Sequence, residues 1–421
     1  LTLPAGTLNA DGASGKQAGV IHLLANTVQA DDGTIISASQ DTGASASMHQ
    51  VIIAATNIKF KGTNGLQILS NGNGSSWNLR GSLYVLPKGG LTISSTGDAP
   101  LYGVSFLSWT ASLPNFGTQN SEVKFDGTGT GSDAAPLTIK ANGNYNQLWI
   151  SGRPITFDGG SVTVQTRGAS SSAPSQFDNQ LFLGYFGSYS NEDGLIFKGD
   201  GAVNIDANGV SGNAGQVSIK VEKASLNQDA DADTEVKISA DGPSGATGNG
   251  GKIEFWAPYG VTLNSAAKAF INANGAASGT GHGGYVDFQP GSSNFTLGSD
   301  NGEYQLAAKS GTTGTGHGGE VKAKTSGTLT LDSATAASVQ SQGTNGNGGK
   351  LTLDGSPIVF NGTGLTLNAD GGSSTGDGGE IHVYSRSGSL SVDNVSNGII
   401  VSAKAPGTGD GGLSKSGMCP L

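Results

Sequence analysis

The chain is short of the residues that most protein chemistry draws on. It has one cysteine, Cys419, so an internal disulfide framework is excluded. Charged residues make up 13%, about half the usual share. Only four arginines occur, Arg80, Arg153, Arg167 and Arg386. Lysine and arginine total 22 against 32 acidic residues, a net charge of −10. A nucleic-acid backbone calls for the opposite field, so no nucleic-acid partner is expected. No apolar run approaches the ~20 residues of a membrane helix, so no membrane insertion is expected. There is no Gly-x-Ser-x-Gly elbow and no phosphate loop. The acids are spread thinly rather than grouped as a carboxylate pair. Asp126, Asp158, Asp178, Asp193 and Asp200 fall in the least regular part of the chain, where a cleft could form. The chain is therefore not expected to be an enzyme.

Glycine is what the chain has in excess: 71 of 421 residues, against a usual share of roughly 7%. It does not recur every third residue, which excludes collagen. It recurs instead as a doublet ahead of an alternating strand. Examples are Thr247-Gly-Asn-Gly-Gly-Lys-Ile-Glu-Phe255, Thr280-Gly-His-Gly-Gly-Tyr-Val-Asp-Phe288 and Thr375-Gly-Asp-Gly-Gly-Glu-Ile-His-Val383. The second glycines of these and weaker copies are Gly215, Gly251, Gly284, Gly319, Gly349, Gly379 and Gly412, spaced by 36, 33, 35, 30, 30 and 33 residues. Each unit reads as three short strands with period-two alternation, so one face of each is buried. Turns of Ala-Asp-Gly or Ala-Asn-Gly type close the third strand, as at Ala240-Asp241-Gly242 and Ala273-Asn274-Gly275.

Three strands and three bends in about 33 residues make one coil of a right-handed parallel β-helix, an all-β solenoid. Some thirteen coils would make a rod roughly 60 Å long. A string of β-sandwiches is the competing fold, since short strands every ~10 residues fit it too. The pattern divides the chain into N-terminal coils (1–60), irregular aromatic-rich coils with loop insertions (61–200), regular Gly-Gly coils (201–412) and a C-terminal tail (413–421). Ile205, Ile271 and Leu367 should stack inward, with Asp206, Asn272 and Asn368 outward. At least one glycine of each doublet should adopt positive φ at a corner. The aromatic residues Tyr102, Phe106, Trp109, Phe116, Tyr145, Trp149, Phe182, Tyr185, Phe186 and Tyr189 read either as packing in a wider cross-section or as a sugar- or partner-binding patch.

The Gly-x-Gly-Gly-x-[Ile/Val/Leu]-x-[apolar] unit over 200–412, and more faintly over 1–60, resembles that of the secreted bacterial β-helix repeat proteins. These include filamentous-haemagglutinin-like adhesins and autotransporter passenger domains. The resemblance implies an extracellular or cell-surface location and a structural or adhesive role.

Two places can hold chemistry. Asp229, Asp231 and Asp233 alternate in the only dense acidic run, and like charges on one strand face favour a cation, with calcium the candidate; a solvated loop is the alternative. His282 and His317 take the same place in adjacent units, in a column running Asn249, His282, His317, Asn347, Asp377, Asp410. Stacked imidazoles can share a metal, and the plainer reading is a polar turn column. No other cofactor is indicated. A solenoid that leaves its end coils uncovered presents unpaired strand edges, so self-assembly into a head-to-tail homopolymer is expected. Leu413, Met418, Cys419 and Leu421 would dock on the neighbouring copy. The expected function is a structural subunit of an extracellular filament, sheath or matrix. A surface adhesin or stalk binding a glycan or host surface is the alternative, and a polysaccharide-processing enzyme a second.

Overall fold

The computed structural model describes residues 1–14, 16–30, 33–39, 49–62, 66–71, 75–87, 91–96, 104–107, 111–112, 115–116, 123–126, 137–142, 147–151, 154–158, 162–167, 180–184, 194–198, 202–226, 235–243, 247–263, 268–277, 280–298, 303–311, 315–333, 336–362, 364–372, 375–393 and 398–418. Among them the only regular structure is β. One coil shows the plan. Lys252–Trp256 lies in a first column of strands, Val261–Leu263 in a second and Lys268–Asn272 in a third. Each pairs in parallel with its counterpart one coil on: Lys252 with Tyr285, Val261 with Phe295, Lys268 with Glu303. The chain is thus a β-solenoid with about 33 residues per turn. The third column forms a sheet of 13 strands, from Gly6–Asn9 to Ile399–Ser402. The first two columns merge into a single 23-stranded sheet. They are continuous near the N-terminus, where Val20–Ala30, His49–Gly62 and Ser75–Pro87 run through both.

Register in the third column is unbroken along the rod, while the long strands His49–Gly62 and Ser75–Pro87 slip by one residue between Ala54 and Asn57. The third column stacks Leu8, Ile36, Ile68, Ile93, Ile139, Val164, Ile205, Ile238, Ile271, Leu306, Val339, Leu367 and Val401 on one another in successive coils. The period of two leaves no alternative. A slip of one residue would turn this whole aliphatic set to solvent. The column interior is dry: Ile36, Ile205, Ile238, Ile271 and Leu306 have no exposed surface. The first column adds stacked rings, with Phe255 and Phe288 centroids 4.7 Å apart and 14° from parallel. Ile253, Phe255, Val261, Ile271, Leu367 and Ile381 are buried as expected, while Lys252, Glu254, Gln340 and Asn368 are half-buried.

Two expectations fail at the corners. Asp206 and Asn272 are buried rather than outward in solvent. Ile238, Ser239 and Ala240 show why: three consecutive buried residues mark a bend, where alternation lapses and both sides of the backbone are covered.

The doublet glycines are the second correction, because none of them takes positive φ. That conformation occurs instead at the other two corners, between first and second columns at Gly260 (φ 117°), Gly291 (φ 65°) and Gly388 (φ 94°) and between second and third at Gly298 (φ 84°), Gly362 (φ 108°) and Gly398 (φ 78°). What the doublet provides is space. The N–H of Gly284 donates to the carbonyl of Ala273 at 2.6 Å, and that of Gly319 to Ala308 at 2.7 Å, tying the end of a third-column strand to the start of the next coil. A Cβ on Gly284 would overlap the carbonyl oxygen of Gly251 one coil below, and a Cβ on Gly319 that of Gly284. The same overlap recurs at Gly251, Gly349, Gly379 and Gly412. Backbone lies on backbone there, so only hydrogen fits.

Candidate functional site

The doublet corner also carries the predicted polar column, and the structure makes it a ladder. The side-chain acceptor of each residue receives the backbone N–H of its counterpart in the next coil. Asn249 N–H donates to Asn213 Oδ1 at 2.9 Å and His282 N–H to Asn249 Oδ1 at 2.9 Å. His317 N–H donates to His282 Nδ1 at 3.0 Å and Asn347 N–H to His317 Nδ1 at 2.9 Å. Asp377 and Asp410 continue the series on Asn347 and Asp377. Asn, Asp and His share one property here: an acceptor atom two bonds from Cβ. That is why these three types, and no others, fill the column.

The same bonds dispose of a metal at the stacked imidazoles, whose centroids are 5.1 Å apart. Accepting at Nδ1 assigns the ring proton to Nε2, and a neutral imidazole then has no second lone pair to offer a metal. Among the described residues no group of three or more His, Cys, Asp or Glu is arranged to hold a metal ion. The calcium candidates Asp229, Asp231 and Asp233 lie outside the described residues, as do Asp178, Asp193 and Asp200. Register places Asp126 beside Asp158, and Asp158 beside Lys198. Of the aromatic set, Phe182 is buried; the side chains of the others are outside the described set.

A second ladder follows the Ala-Asx-Gly turns. Asp241 N–H donates to Asn208 Oδ1 at 2.7 Å, Asn274 N–H to Asp241 Oδ1 at 2.8 Å and Lys309 N–H to Asn274 Oδ1 at 2.9 Å. Burial pushes the Asp241 carboxyl up to about 6, against the opposing pull of the Asn274 N–H, Lys237 and Lys309. Burial also lowers the Lys309 ammonium, with Asp241 acting against it.

The outer face of the first column holds the densest ionic network described. Lys252 Nζ lies 2.6 Å from Glu254 Oε1 and 5.7 Å from the centre of the Tyr285 ring. Gln216 donates to Glu254 Oε2 at 2.8 Å. Asp287 Oδ2 accepts from Tyr285 Oη at 3.0 Å and lies 3.6 Å from Lys322 Nζ. Burial and then the Asp287 charge hold the Tyr285 phenol well above its usual range. Further along, His382 bridges Glu380 (2.9 Å) and Tyr384 (2.6 Å). The His382 hydrogen bond is the main cause of the low Glu380 carboxyl. Lys322 reaches Asp287 across strands and Lys350 reaches Glu380 (3.7 Å), while Lys252–Glu254 and His382–Glu380 lie within one strand and register sets Glu254 beside Asp287. Sequence reasoning missed two arginine forks. Arg167 grips Asp206 through Nε and a terminal nitrogen, both at 2.8 Å, and Arg386 grips Asp354 at 2.6 Å twice. The only signal was the scarcity of arginine, which makes each one informative.

The ends of the rod differ from its sides. Exposed large apolar residues among those described are Leu1, Leu8, Val20 and Leu24 at one end and Leu390, Val392, Ile400, Val401 and Leu413 at the other, with only Val210 and Tyr259 between. Leu390, Val392 and Val401 stand in inward columns, above Ile358, Phe360 and Leu367. Leu413–Met418, within the segment expected to dock on a neighbouring copy, is a strand paired with Glu380–Ser385. Leu413 is 44% exposed. Cys419 and Leu421 lie outside the described residues. The solenoid is compatible with the β-helix repeat proteins that the sequence resembles. No family model, curated protein or solved structure matches the chain.

Proposed function

We propose that this chain is an extracellular structural protein, the subunit of a cell-surface filament, sheath or matrix, in which rods stack end to end. The observation that carries the reading is the continuous in-register stacking of one aliphatic column through a 13-stranded parallel sheet, a geometry that repeats coil on coil. Stacked parallel strands present their backbone groups along the rod axis, a template for another parallel strand. A contact between unlike ends does not close on itself and propagates as a fibre. The composition supports an extracellular setting, being rich in glycine and poor in lysine and cysteine. The chain is read as non-enzymatic: its ionic groups are paired with one another along the rod.

Electron microscopy with light scattering across a concentration series tests the proposal. Filaments one rod wide are the expected result. Isolated rods at every concentration would overturn it and favour the adhesin or stalk reading, for which the polar outer face from Gln216 to Tyr384 is the surface to probe with glycans. Release of reducing sugar from a polysaccharide would point to the enzyme reading instead.

A further inference from the structure

The strand Glu380–Ser385 turns Ile381 and Val383 into the core and sets Glu380, His382 and Tyr384 in a row on the outer face of the first column. Alternate residues of a strand stand roughly 6.5 Å apart, and the imidazole spans both gaps. Its Nε2 lies 2.9 Å from Glu380 Oε2 and its Nδ1 2.6 Å from Tyr384 Oη. The His382 hydrogen bond, helped by Lys350, holds the Glu380 carboxyl low, so this group is a carboxylate. A carboxylate only accepts, so Nε2 carries the proton. The neutral ring then keeps its lone pair on Nδ1, where the phenol O–H of Tyr384 donates. Carboxylate, imidazole and hydroxyl thus stand as orienting group, general base and nucleophile. We infer that Tyr384 is a nucleophile activated by His382, a site at which the rod takes up an acyl group from an activated acyl donor.

This goes beyond the assembly reading and does not depend on it. The neighbouring coils give a donor access. Register sets Lys350, Thr352 and Asp354 beside Glu380, His382 and Tyr384 on one flank, and Leu413, Lys415 and Gly417 on the other. Asp354 is drawn to Arg386, which holds both its oxygens at 2.6 Å. Gly417 brings no side chain to the flank of Tyr384, and Tyr384 itself is only half-buried. The cations described at the site, Lys350 and Arg386, are already paired with Glu380 and Asp354. That favours an uncharged acyl donor over an anionic phosphoryl or sulfuryl one. In the step, Tyr384 Oη bonds to the acyl carbon, and the bond from that carbon to its leaving oxygen breaks with the electron pair. The phenol proton passes to His382 Nδ1 and from there to the departing oxygen. The products are a tyrosyl ester on the rod and a free alcohol or phenol, one capture per chain.

The test uses p-nitrophenyl acetate on the full chain at pH 7.5, with acetyl groups mapped by peptide mass spectrometry. Tyr259, 37% exposed, is the internal reference. Tyr384 should be acetylated at least about tenfold faster, a modest part of what a general base supplies. His382→Gln should bring Tyr384 down to the Tyr259 rate. Glu380 is a positioning residue, acting through His382. Glu380→Gln should also slow Tyr384, because an amide N–H can donate to Nε2 and leave the ring proton on Nδ1. Thermal melting of that variant should match the parent's, which separates positioning from a structural role. Across a series from pH 7.5 to 5 the advantage of Tyr384 should disappear, since an imidazolium has no lone pair for the phenol proton. A difference in exposure alone would persist at every pH. Equal rates for Tyr384 and Tyr259 in the parent chain would overturn the inference, and that comparison needs no variant. So would a Tyr384 rate that survives either substitution in a chain that melts like the parent.

Discussion

The backbone N–H of His317 donates to Nδ1 of His282, one coil below and 35 residues earlier, at 3.0 Å. The bond is one step of a ladder in which residue type is set by where the acceptor atom sits. It predicts that Asn replaces His at this place without loss. His282→Asn should melt within a degree or two of the parent, since Asn249 and Asn347 already do the same work. His282→Leu should cost about 1 kcal/mol, the worth of a backbone hydrogen bond left unmade. Denaturant unfolding of both variants checks the contrast.

The doublet glycines should be intolerant of any side chain. Gly284→Ala sets a Cβ onto the carbonyl oxygen of Gly251, and the stacked backbone has to separate. A loss of at least about 3 kcal/mol is expected, in the range of overpacked cores. Gly398→Ala is the control. Gly398 has φ 78° and open space around the site, so only the conformational term of about 1 kcal/mol applies. Similar losses at the two positions would put conformation, not space, in charge of the doublet.

Asp241 makes stability depend on pH in an unusual direction. Its carboxyl titrates at about 6 in the fold, above the ordinary value of about 3.9. The folded state therefore holds the proton more tightly than the unfolded chain. The penalty is complete above pH 6 and is lost as the pH falls from there towards 4. By linkage this one group is worth up to about 3 kcal/mol over that window. Asp241→Asn keeps the acceptor for the Asn274 N–H and removes the charge. Its melting temperature at pH 7.5 should exceed the parent's, and the gap should narrow at pH 4. A parent and variant that melt in parallel across pH 4–8 would contradict this.

The Phe255–Phe288 stack sits in fully buried, adjacent coils. Phe288→Ala should cost about 3–5 kcal/mol and Phe288→Leu markedly less, because a cavity adds to the lost transfer energy. In a solenoid each coil leans only on its neighbours. Hydrogen exchange should therefore show the loss concentrated in the coils around 253–297, not spread along the rod.

Much of the architecture was legible in the residues. A spacing of about 33, strands of alternating polarity and turns of Gly, Asn and Asp specify a coil, and one coil specifies its neighbours. The three short strands read in each unit appear in the coil that starts at Gly349 as Lys350–Gly355, Ile358–Gly362 and Leu365–Asn368. The His282 column was visible as a column, and its use was not. Nothing in a list of Asn, His and Asp reveals that the partner is a backbone N–H some thirty residues away.

What the sequence determines by itself is periodicity: which residues alternate, how long a coil is, and which positions recur. Period-two burial is a local property of strand geometry, so it survives without any knowledge of contacts. What only the tertiary structure decides is the meaning of the recurring positions. Gly284 could serve conformation or space, and the carbonyl of Gly251 lying against it decides for space. His282 could serve a metal or a hydrogen bond, and the N–H of His317 decides for the bond. Asp206 could face water, and the fork of Arg167 with the corner bend decides for burial. In each case the deciding atom belongs to another coil, brought within reach only when the rod is wound.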